Sequence, residues 1–88
     1  MRLLVLLSTV AMALFPMLGK AGEFRDNCAT GLAIYDVAVE TDCSVNWADE
    51  KTGKTYCFSS AGTKQQFLEN TDKNIGKAEK NYAKLKEN

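Results

Sequence analysis

The first eighteen residues, MRLLVLLSTVAMALFPML, are apolar almost throughout, with one positive charge at Arg2 and no acid. Small residues follow at Gly19 and Ala21, and from Gly22 onward polar and apolar positions mix. A charged start, an apolar stretch and a small-residue site predict an export signal over residues 1–21, cleaved after Ala21. The stretch is short for a membrane span. The alternative is a retained anchor, in which Pro16 is tolerated in lipid. Lipid attachment at Cys28 is not expected, because Asp26 and Asn27 precede it where small apolar residues belong.

Downstream, Tyr35, Val37 and Val39 share one parity against Asp36, Ala38 and Glu40, which predicts a half-buried strand over about residues 34 to 40. The preceding CATGLA reads equally as a helical turn or a loop. Next, CSVNWADEKTGKTYCFSS has hairpin chemistry, with Gly53 ending a polar turn. Two registers compete. A four-residue loop, Glu50 to Gly53, sets Trp47 against Tyr56 and Val45 against Phe58, and a shift by one residue sets Val45 against Cys57 and Trp47 against Thr55. The first is preferred because it gathers four large side chains on one face.

Ser59 and Ser60 are N-cap residues for a helix running through about Gln66 to Asn70, with Phe67 and Leu68 as its apolar members. Thr71 and Asp72 break that helix and cap a second. In the second, Ile75, Ala78, Tyr82 and Leu85 form one narrow apolar stripe among lysines, weakened by Gly76. The elements add up to a small α+β domain over residues 22–88: an antiparallel hairpin or three-stranded sheet followed by two C-terminal helices. Trp47 and Tyr82 are expected in the core, and Trp47 with Tyr56 is read as packing before it is read as a ligand platform.

Composition narrows the chemistry. Arg2 and Lys20 lie in the leader, so residues 22–88 carry nine basic residues against eleven acidic ones, with interspersed signs. That balance argues against nucleic acid, which wants a basic face. The chain has no histidine, no close cysteine pair, no clustered glycines and no paired carboxylates, so no catalytic constellation is present and a non-enzymatic role is expected. A mature chain of this size has little stability without a staple or a partner.

The three cysteines, Cys28, Cys43 and Cys57, are then the main chemistry. In an exporting context thiols oxidise by default. An odd count leaves three options: one bridge and a free thiol, three thiolates on one soft ion such as copper, or a covalent dimer through the spare cysteine. In the preferred hairpin register Cys43 shares the Trp47 face and Cys57 points to the opposite one beside Asn46. A Cys43–Cys57 bridge is therefore disfavoured, and Cys28–Cys43 is the candidate disulfide, closing a loop of about 16 residues for about 3 kcal/mol.

The stretch KTYCFSSAGTKQQFLEN resembles the signature of the YHS domain, through Tyr56, Phe58, Ser59 and Phe67. CATGLA and NIGKAEKNY are similar to flanking segments of exported bacterial members, so the resemblance covers most of residues 28 to 82. It implies a compact α+β module, usually bacterial and often found beside metal-handling proteins. Metal-binding members carry one cysteine at the end of the second strand and another four residues later, positions held here by Ser59 and Thr63. The family's proline after the helix is also missing, with Thr71 in that neighbourhood. The resulting expectation is an exported, periplasmic binding module for copper or another soft metal, through Cys57 with Cys28 or Cys43. The alternative is a disulfide-stabilised accessory module that docks on another exported protein, with no nucleic-acid partner and no stable membrane insertion once the signal is removed.

Overall fold

The computed structural model describes residues 22–87; the expected export signal lies outside them. Two strands, β1 (Val45–Ala48) and β2 (Thr55–Phe58), pair antiparallel with Val45 opposite Phe58 and Trp47 opposite Tyr56. This is the register that aromatic pairing predicts. The Asp49 N–H donates to the Lys54 carbonyl at 2.8 Å, and the Gly53 N–H donates to the Asp49 carbonyl at 2.7 Å, closing the four-residue loop. Gly53 has φ +80°, a conformation cheap only for glycine. The buried Asp49 carboxylate accepts from the Lys51 N–H at 3.0 Å and the Thr52 hydroxyl at 3.2 Å, fixing the turn from inside.

Two helices follow, α1 (Ala61–Leu68) and α2 (Thr71–Glu87). Ser60 is the N-cap of α1: its hydroxyl accepts from the Thr63 N–H at 3.1 Å while Thr63 Oγ1 accepts from the Ser60 N–H at 3.1 Å. This reciprocal pair satisfies two of the donors a helix start leaves open. Helix α2 buries Ala78 fully and seats Ile75 and Tyr82 at the core margin, and Leu85, last in the stripe, is exposed. Asn74 and Asn81 tie the helix down, donating to the Phe67 carbonyl at 3.0 Å and the Leu32 carbonyl at 2.8 Å.

The core lies between the Tyr56 face of the hairpin and the helices. Phe67 packs between Tyr56 and Phe58, tilted to the first at 5.6 Å and edge-on to the second at 5.3 Å, and Trp47 stacks on Tyr56 at 5.9 Å. Phe24, on the turn Glu23–Asp26, closes the far end against Tyr82 at 5.2 Å. Trp47 and Tyr82 are thus half-buried walls of the core.

The strand expected over residues 34 to 40 is not seen among the described residues. Gly31–Tyr35 instead forms a π-helical turn that ends at Asp36 in left-handed backbone, φ 55°. Residues 36–39 follow without regular structure, and Glu40 makes an isolated bridge to Asn27. The physical reason is the absence of a free neighbour. The outer edge of β2 is taken by Gly22 and Cys28, and backbone bonds of residues 37–41 run to residues 26–31: Val37 N–H to Gly31, Cys28 N–H to Val39, Thr41 N–H to Asp26. The alternating side chains therefore have no sheet face to enter, and Ile34, Tyr35, Val37 and Val39 stay 39 to 55% exposed. The fold is α+β as expected, with two strands in place of three. No helix among the described residues is long and apolar enough to cross a membrane.

Candidate metal and thiol site

The disulfide joins Cys43 to Cys57, with Cα atoms 4.7 Å apart, and Cys28 is the free thiol. This corrects both the expected Cys28–Cys43 bridge and the argument against Cys43–Cys57. The parity argument counts back from Val45 to Cys43 as if the strand continued, but β1 begins at Val45. Cys43 sits before it with φ 62°. A left-handed residue reverses the direction an extended chain would give its side chain. The Cys43 sulfur therefore reaches the Asn46 and Cys57 side of the hairpin, and the Asn46 amide pins the bend by donating to the Cys43 carbonyl at 2.7 Å.

On that side a third group meets the sulfurs. Asp26 Oδ1 lies 3.5 Å from Cys57 Sγ, and one donor atom each from Asp26, Cys43 and Cys57 lie within 4.8 Å of one another. The turn that carries Asp26 is strained: Phe24, Arg25 and Asp26 have φ of 59°, 55° and 64°. Left-handed backbone costs a non-glycine residue roughly 1–2 kcal/mol. Two of the three donors, Asp26 and Cys43, are thus held in sparsely populated backbone, and such positions persist only where surrounding structure imposes them. Gly22 lies over the group so closely that a Cβ there would collide with the Asp26 carboxylate and the Cys57 sulfur.

Cys28 belongs to a separate pocket. Its backbone bridges that of Cys57, yet the residue is 1% exposed and its sulfur faces the start of α1. There the Ser59 N–H donates to Sγ at 3.4 Å, with Ser59 Oγ at 3.7 Å and Thr63 Oγ1 at 3.9 Å. Burial pushes the thiol up, but backbone hydrogen bonds with Gly31 and Ser59 and side-chain bonds with the Ser59 and Thr63 hydroxyls outweigh it, and the net shift is downward. The Ser59 and Thr63 hydroxyls therefore both meet Cys28, 3.4 Å from each other. Of the three cysteines expected to act together, the structure joins Cys43 and Cys57 and keeps Cys28 apart.

The remaining motif residues are structural in their contacts. Tyr56, Phe58 and Phe67 are buried, and burial, with Glu23, Glu79 and Asp49 nearby, pushes the Tyr56 hydroxyl up to about 12. Sequence reasoning missed Asp26 as a donor and Phe24 as core. The available signal for Asp26 was an acid two residues before a cysteine, in a stretch with no regular pattern. Compared with protein-family models, curated proteins and solved structures, the chain finds no match in any of the three.

Proposed function

We propose that the chain is an exported, YHS-like, non-catalytic module that binds copper or another soft metal ion through Cys43 and Cys57, with Asp26 as third donor, when the two sulfurs are thiolates. The observation that carries this reading is the convergence of the three donors within 4.8 Å. Donors about 2.3 Å from a common ion stand roughly 4 Å apart in a trigonal arrangement, so the set needs only the sulfurs to part. Soft thiolates select soft ions, and the carboxylate adds a charge that favours any cation over an empty dithiol. Asp26 takes the place expected for Cys28 in the ligand set. The YHS resemblance, carried by Tyr56, Phe58, Ser59 and Phe67, supports the class of function, and the disulfide, with the expected leader, is compatible with an oxidising, periplasmic location.

The test is metal analysis of protein purified under reducing conditions from cells supplied with copper. About one equivalent bound by the wild type, and loss of it in Cys57→Ser, is the expected result. No bound metal, or an unchanged content in the variant, would sink the reading.

A second reading is favoured by two other observations, the Cys43–Cys57 bond itself and the exposed row Ile34, Tyr35, Val37 and Val39. On this reading the molecule is a stapled accessory module that docks on another exported protein, since exposed apolar patches mark interaction sites. A covalent dimer through Cys28 would require the chain to open first, because that sulfur is buried. Intact mass of non-reduced protein after alkylation separates the states: one alkylated thiol and a mass lower by two hydrogens marks the staple, and three alkylatable thiols, of which metal protects two, mark the open site.

A further inference from the structure

The two residues of the Cys43–Cys57 bond live in unequal surroundings. Cys57 is fully buried in β2. Cys43 is half-buried in the irregular stretch before β1, between the exposed Asp42 and Ser44, and its backbone is left-handed. Accessible or strained disulfides are the labile ones. Neither residue belongs to the apolar core cluster; the strand pairs Val45–Phe58 and Trp47–Tyr56 flank Cys57, and Cys43 lies two residues before the first of them, so the paired strands keep the two segments close without the bond. Opening it leaves the sulfurs as neighbours beside Asp26.

From this asymmetry we infer that the disulfide is a lock on the proposed metal site, opened by an external dithiol that attacks at Cys43 and expels Cys57. The inference rests on the metal reading for what the opened site holds, and is independent of it in how the bond opens. The incoming thiolate bonds to Cys43 Sγ, and Cys57 Sγ leaves with the electron pair of the broken sulfur–sulfur bond. The second thiol of the reductant then displaces Cys43. The reductant ends as a disulfide and the protein as a dithiol, two electrons having passed between them. A soft ion takes the two thiols as thiolates, displacing their two protons, and while bound prevents the bond from re-forming.

Two arms test this on the same protein. In the first, oxidised wild-type protein is exposed to reduced glutathione, quenched with iodoacetamide and mapped by peptide mass. Glutathione on Cys43 with the alkyl group on Cys57 is expected to exceed the reverse by about tenfold or more. Equal adducts, a preference for Cys57, or adducts only in denaturant would overturn the route. In the second arm silver(I), a redox-inert soft probe, is titrated into oxidised and dithiothreitol-reduced Cys28→Ser protein, with the wild type as a check should that variant fold poorly. Binding by the reduced form alone supports the lock, and equal binding by both forms overturns it. Binding by neither removes the metal reading, while the first arm still decides where exchange begins.

Discussion

At the scale of single residues, the clearest consequences are for protonation and close packing. The Cys28 thiol is depressed in the folded chain relative to its ordinary 9.0. A depressed group stabilises the fold above its unfolded value, and that contribution is lost as pH falls through the folded one. Unfolding free energy, measured by urea titration with the disulfide intact, should therefore rise between the folded value and pH 9, and Cys28→Ala should flatten the rise. Tyr56 works in the opposite sense. Its hydroxyl is raised from 10.0 to about 12, so its contribution is complete below pH 10 and disappears as pH climbs through 12. Absorbance of ionised tyrosine should show one late-titrating hydroxyl whose ionisation coincides with loss of near-ultraviolet circular dichroism. Gly22→Ala forces a Cβ into the Asp26 carboxylate and the Cys57 sulfur. Overpacking of this kind costs about 1–3 kcal/mol, and a lowered urea midpoint with an unchanged slope would report it.

At the scale of elements, the sequence pattern was reliable where a neighbour was already in place and misleading where it was not. The hairpin register follows from Trp47 facing Tyr56 and Val45 facing Phe58, because only one alignment puts all four on one side, and the paired strands form it. The stripe of α2 and the cap at Ser60 were legible for the same reason: helix periodicity and capping are local. Residues 34–40 alternate as a strand should, yet alternation does not supply a partner, and the β2 edge that would serve is taken by Gly22 and Cys28. The cysteine pairing failed more narrowly. A parity count assumes extended backbone at every step, and one left-handed residue, Cys43, inverts it. Asp26 was hidden likewise, because its approach to Cys57 depends on three successive left-handed residues that no pattern announces. Gly76 offers a check on α2: an added Cβ meets nothing within 4 Å. Gly76→Ala should stabilise the protein by about 0.5–1 kcal/mol, read as a rise in thermal midpoint.

At the scale of the whole molecule, a short chain is held by one aromatic core and one covalent link on opposite sides of the same hairpin. Phe67, fully buried between Tyr56 and Phe58, is the centre of the first, and Phe67→Ala should cost about 3–5 kcal/mol, enough to unfold so small a domain at ambient temperature by circular dichroism. The link lies with Asp26 away from that core, which lets one side carry stability and the other carry sulfur chemistry. The central claim is that the opened link holds a soft ion between two sulfurs and one oxygen, with Cys28 excluded. X-ray absorption at the copper edge of the reduced protein loaded with one equivalent of copper(I) reads the ligand set directly. Two sulfur neighbours and one light atom are predicted, whereas three sulfurs would bring Cys28 into the site and contradict the account.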